Sequence, residues 1–240
     1  MKRVIVAFLL LFLGLPMTSR SVPVTEISEK SQLFSALPSP GAINEINPKA
    51  LDLAVKGYYN LKRQGLIRRE GIVTLIDFDK PSVSERLYII NVENRTVLHS
   101  SLVAHGKGSG EDVATSFSNR PGSNKSSVGF YLTENTYNGK NGYSLVLKGL
   151  DRGINDKAQR RSIVIHGADY VSREYINTHG RLGRSKGCPA LSMENCQQVI
   201  DLIKEGTCLF IYHNGRDYFS RSGVLHSGAA SRGGRPVNPA

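Results

Sequence analysis

A mainly β fold, with one helix ahead of the sheet and another close to its end, is what the sequence predicts, and three observations predict it. Residues 73–78, 87–92 and 96–104 are β-branched and apolar runs, broken by the turn-like clusters Asp79-Lys80-Pro81 and Glu93-Asn94-Arg95. Leu51, Ala54, Val55, Tyr58 and Leu61 recur at helical spacing, so they form one buried stripe. Met193, Val199, Leu202 and Ile203 repeat that spacing and lead into a last apolar run at 207–213.

The chain opens with Lys2 and Arg3, an apolar run from Val4 to Leu15, Pro16 and small residues at Ser19 and Ser21. That order of charge, apolar run and small residues is a secretory signal, expected over 1–21, too short for a comfortable membrane span. Residues 22–46 mix Ser, Pro and Glu with scattered hydrophobics and read as a linker with one helical turn around 29–37. Asn47 can cap the first helix, Pro48 suits its first turn, and Gly65 ends it. The three strand runs follow as a meander.

His105-Gly106-Lys107-Gly108-Ser109-Gly110 has the glycines of a phosphate loop but neither its lysine-hydroxyl ending nor a following helix. It is expected to be a flexible loop, in which His105 could line a cleft. Residues 115–128 are small and polar and lead into a strand at 129–133. From 135 to 150 the reading is a loop holding Tyr137, Gly139, Gly142 and Tyr143, with a strand at 144–147. Tyr137 and Tyr143 can flank a ligand or be half-buried with wet hydroxyls. Ile163, Val164 and Ile165 form a buried strand that delivers His166 and Gly167 at its end. Ser192 caps the second helix and Gly206 stops it. From Asn214 to Ala240 Gly, Ser, Arg and Pro dominate, which predicts a basic disordered tail after one catalytic domain at 47–213.

The formal charge of +11 drops by the three cations Lys2, Arg3 and Arg20 to +8 in a processed chain. That excess favours the anionic polymers and head groups of a cell envelope. No reading helix accompanies it, so nucleic acid is not an expected partner. Three cysteines, Cys188, Cys196 and Cys208, leave at least one free in an oxidising compartment. Cys196 and Cys208 are read as small buried residues rather than a pair. Neither a Cys-x-x-Cys nor a His-Glu-x-x-His pattern occurs, and no metal or organic cofactor is expected.

The chemistry-bearing stretch runs from Ser162 to Leu191. His166 ends a strand, and Cys188 follows twenty-two positions on, at the end of Ser185-Lys186-Gly187-Cys188. A thiolate is the attacking species in thiol catalysis, and a nearby imidazole can take its proton. Gly187 permits a sharp turn, and the backbone amides of Lys186, Gly187 and Cys188 can converge on an oxyanion. Lys186 favours the thiolate and Ser185 can brace the loop. His179, also followed by glycine, competes with His166 but lacks a preceding strand, and a base must sit on something rigid.

His-Gly at a strand end followed by Ser-Lys-Gly-Cys resembles the catalytic signature of YkuD-like L,D-transpeptidases, and the chain's features together resemble their divergent branch, the murein L,D-transpeptidase catalytic domain family. The resemblance spans 47–213 and includes a Pro/Gly-containing loop, at 115–128, before an aromatic strand. It implies a β-sandwich or barrel, Cys188 as nucleophile, His166 as base, and the carbonyl of Gly167 fixing the imidazole. Two departures stand out. The His166–Cys188 separation is longer than usual, and Ala190 stands where the family has an arginine; Arg181 or Arg184 could supply that cation from the loop. Arg184, Ser185 and Tyr137 are the expected substrate contacts.

The implied reaction is attack on the third residue of a peptidoglycan stem, loss of the terminal D-alanine, and resolution of the thioester by a second stem to give a 3-to-3 cross-link. Water as acceptor would make the chain an L,D-carboxypeptidase, and a wall protein is a third acceptor. A non-catalytic peptidoglycan-binding module is the rival reading. The protein is expected to act as a monomer in the periplasm or cell wall, peripheral to the membrane at most.

Overall fold

The computed structural model describes residues 45–227. The signal, most of the linker and the end of the tail lie outside these residues, although Ile46, placed in the linker by the sequence reading, is buried in the core. Helix α1 (Pro48–Arg63) begins as its sequence dictates. The Asn47 side chain accepts from the amides of Lys49 at 3.0 Å and Ala50 at 3.3 Å, and Pro48 occupies the first turn, where a missing N–H removes nothing. Its stripe of Leu51, Ala54, Val55, Tyr58 and Leu61 is buried as expected.

Eight strands form one sheet: β1 (Ile72–Asp77), β2 (Leu87–Asn91), β3 (Thr96–Ser101), β4 (Gly129–Gly139), β5 (Gly142–Gly149), β6 (Val164–Gly167), β7 (Ala190–Leu191) and β8 (Cys208–Tyr212). Their order is β3-β2-β1-β8-β4-β5-β6-β7. The returning strand β8 enters the middle, parallel to β1 and antiparallel to β4. Beyond β3 the chain reaches round to the far edge, where Ala104 pairs with Ala190 and Gly106 with Ser185. The sheet is thereby nearly closed, and an edge that could template another chain is covered.

Both faces of the central strands are buried, which is why they read as continuous apolar runs rather than as an alternation. Leu75, Ile90, Phe130 and Phe210 pack with α1 on one face. Ile76, Ile89, Leu145, Ile165 and Ile211 pack on the other with Val199 and Ile203 of α3 (Met193–Ile203). Each such side chain contributes on the order of 1.5–3 kcal/mol on burial. Cys208 belongs to the first cluster and Cys196 to the second, both unpaired.

Three expectations are corrected. Residues 135–139 are not loop: β4 runs on to Gly139 and turns through two residues into β5, a long hairpin. Its outer half, Glu134 to Gly139, is polar and mostly exposed, so no apolar alternation marks it. Residues 214–227 are not disordered. Helices α4 (Arg216–Arg221) and α5 (Gly223–His226) bury Tyr218, Val224 and Leu225 beside α1, and Asn60 donates to the Val224 carbonyl at 2.9 Å. Buried Asp151 ties them down, accepting from Tyr218 Oη at 3.0 Å and Ser222 Oγ at 2.7 Å. Third, the 105–110 segment is pinned: His105 is buried, with Arg86 Nη2 2.8 Å from its Nδ1, and Lys107 N–H donates to the Ser185 carbonyl at 2.8 Å.

Candidate active site

Strand β6 lies between β5 and β7, with His166 opposite Ser144 on one side and Ala190 on the other. Ser144 in turn pairs with Tyr137, so the exposed tyrosine occupies the same sheet row as the histidine, two strands away. His166 is buried and its Nδ1 lies 2.9 Å from the carbonyl oxygen of Gly167, the contact expected from the sequence. A carbonyl only accepts, so the imidazole carries its proton on Nδ1 and leaves Nε2 with a free lone pair. His166 lines a cavity of about 400 Å³ with Lys140 and Asn141 of the hairpin turn, Asp169, Tyr170 and Met193.

Cys188 sits in the bend that enters β7, two residues before Ala190. The bend needs glycine at 187. Its φ is +126°, and a Cβ there would lie 2.8 Å from the Lys125 carbonyl oxygen. Ser185 closes the turn: its Oγ donates to the Cys188 carbonyl at 2.6 Å and accepts from the Gly187 amide at 3.0 Å. Ser126 Oγ donates to the Gly187 carbonyl at 3.2 Å, and the Ser185 amide donates to the His105 carbonyl at 2.9 Å. The Gly187 N–H, expected to face an oxyanion, is therefore already engaged; those of Lys186 and Cys188 make no hydrogen bond among the described residues.

The thiol of Cys188 contacts the Ser162 carbonyl, with Sγ 3.7 Å from the oxygen, rather than His166. Burial pushes this thiol above its ordinary range, while the Val164 amide and the Arg161 guanidinium pull the other way. Lys186, the cation anticipated beside Cys188, is exposed, and the cation acting on the sulfur is Arg161. Tyr170 also faces Cys188, and its hydroxyl is pushed up to about 12, mainly by burial.

Arg184 does not face the His166 cavity; it bonds Glu111 at 2.5 Å and the Gly110 carbonyl at 3.0 Å. Arg181 pairs with the same Glu111, so neither loop arginine replaces the one absent at Ala190. His179 ends the short helix α2 (Arg173–His179), exposed and stacked on Tyr175 at 4.0 Å between ring centroids. That helix was not read from the sequence. Arg161 and Tyr170 were missed too, since neither stands in a motif with His166 or Cys188; the Arg160-Arg161 pair just ahead of the strand was the one available signal.

The model of the L,D-transpeptidase catalytic domain family matches residues 42–212, well over half of the chain. No curated protein matches it. Among solved structures, an L,D-transpeptidase from Mycobacterium smegmatis is similar at 13% identity and a TM-score of 0.37, over 60% of this chain and 59% of that one. An L,D-transpeptidase from Stackebrandtia nassauensis is similar at 12% and 0.38, over 80% and 78%. The helical cell shape determining protein Pgp2 from Campylobacter jejuni, as a point variant, is similar at 16% and 0.40, over 67% and 55%. The chain thus spans about three fifths of the length of the Mycobacterium smegmatis protein.

Proposed function

Since this chain belongs to the L,D-transpeptidase catalytic domain family, we propose that it is an exported cysteine acyltransferase that forms 3-to-3 cross-links between peptidoglycan stems through a Cys188 thioester. The observation that supports this reading is the 2.9 Å contact between His166 Nδ1 and the Gly167 carbonyl, which fixes one tautomer beside the strand that Cys188 enters.

In this reading the donor stem displaces the Cys188 thiol from the Ser162 carbonyl. The thiol proton passes to His166 Nε2 as the sulfur electron pair bonds the carbonyl carbon of the third stem residue. The amides of Lys186 and Cys188 stabilise the oxyanion. The C–N bond to the terminal D-alanine breaks, and its amine leaves with the proton held by His166. An amine of a second stem then attacks the thioester; its proton goes to His166 and returns to the departing sulfur. Because burial keeps the resting thiol protonated, the base acts during attack rather than by maintaining a standing thiolate.

The test is product analysis of tetrapeptide-stem muropeptides incubated with the protein and with Cys188→Ala. The expected outcome is a cross-linked dimer plus free D-alanine from the first and neither from the second. Free D-alanine with trimmed stems only would make water the acceptor, and no D-alanine from folded wild-type protein would favour a wall-binding module.

A further inference from the structure

Arg161 is held more firmly than a surface arginine. Its Nη1 donates to the Ser118 carbonyl at 2.7 Å and to Ser127 Oγ at 2.5 Å, and its Nη2 to the Lys125 carbonyl at 2.5 Å. Every one of these acceptors is neutral, and Arg161 forms no salt bridge to a carboxylate among the described residues. The guanidinium also lies against the nucleophile turn, with Nη2 3.3 Å from where a Cβ on Gly187 would stand. The next residue, Ser162, supplies the carbonyl that holds the Cys188 thiol. The planar fork thus grips three points of the 118–127 segment and brings a full positive charge next to residues 187 and 188.

Resting on the reading of Cys188 as nucleophile, we propose that Arg161 is a positioning residue whose charge, held beside the nucleophile turn by the 118–127 segment, stabilises the Cys188 thiolate. Its charge has no carboxylate to neutralise it, and the Tyr131 hydroxyl, which also acts on it, is pushed far up by complete burial and stays neutral, so the group left to become its counter-ion is the sulfur. The other groups facing Cys188 do not compete. Tyr170 is neutral in the working range, Lys186 is exposed, and His166 has its Nδ1 on a backbone carbonyl rather than on the sulfur. Charge coupling between Arg161 and Cys188 acts on both groups, favouring the guanidinium and the thiolate together.

The test is the pH profile of Cys188 alkylation by iodoacetamide, read by peptide mass and needing no turnover, so that it fails or succeeds independently of the transpeptidase reading. With Arg161→Gln, alkylation near neutral pH should slow about tenfold, the equivalent of one pKa unit, while the plateau at high pH stays in place. With Arg161→Lys, which keeps the charge and gives up the fork, the rate should stay within about threefold of wild type. A Gln profile that overlays the wild-type one would overturn the proposal. So would a Lys variant slowed tenfold, and that second result decides the matter even if the Gln variant does not fold.

Discussion

Cys188 rests its thiol on the Ser162 carbonyl, 3.7 Å from sulfur to oxygen, and not on the imidazole of His166, four residues after Ser162. The two proposed catalytic groups are therefore on adjacent segments but not in contact. A thiol held on a carbonyl and pushed up by its surroundings rests protonated, and that form is the less readily oxidised one. In the proposed reaction the Cys188 side chain leaves the Ser162 carbonyl and turns toward His166 as the substrate seats.

The turn that presents the sulfur should tolerate no side chain at 187. Gly187→Ala places a Cβ 2.8 Å from the Lys125 carbonyl at a φ of +126°. We expect roughly 1–3 kcal/mol lost in urea unfolding and a larger loss of turnover, because the same strain displaces Cys188.

The two histidine candidates separate cleanly. His166→Ala should lower kcat by about 10²–10⁴ with the fold intact, as loss of a general base does. His179→Ala should change kcat by less than about twofold, since that ring is exposed and stacked on Tyr175. Steady-state D-alanine release measures both, and full activity without His166 would remove it from the mechanism.

Acid should loosen the fold through His105. Burial and the facing Arg86 push its imidazole down to about 4, while the unfolded chain keeps the ordinary value near 6.5. Between these values the unfolded state binds more protons, so the stabilisation is complete above pH 6.5 and is lost as pH falls toward 4. Urea midpoints taken from pH 7.5 down to 4.5 should fall in the wild type and fall less steeply in His105→Asn, for a difference of up to about 3 kcal/mol.

The C-terminal helices should come loose when their anchor goes. Asp151 accepts from the Phe130 amide at 2.9 Å, Tyr218 at 3.0 Å and Ser222 at 2.7 Å, all buried. Asp151→Ala leaves these donors unpaired, at about 1–3 kcal/mol each if none finds water. Hydrogen exchange should rise across 216–226 before it rises in the sheet.

Continuous apolar runs made the central strands legible and helical spacing the two long helices, and the Asn47 and Ser192 caps fall where the sequence puts them. The outer half of the β4–β5 hairpin was not legible, because Glu134 to Gly139 is largely solvated and no burial pattern is imposed on it. Helices α4 and α5 were masked by their Ser, Gly and Arg composition, although Tyr218, Val224 and Leu225 do the burying. At the site, residues 166 and 185–188 stood out as a local pattern. Arg161, Ser126 and His105 reach the same turn only through barrel closure, and contacts made that way leave no spacing to read.

The most direct test of Cys188 as the nucleophile is an intact mass spectrum of the protein mixed with a tetrapeptide-stem muropeptide and quenched in acid. The expected result is an added mass equal to the stem less its terminal D-alanine, released by hydroxylamine and absent from Cys188→Ala. Release of D-alanine at an undiminished rate by folded Cys188→Ala would contradict it.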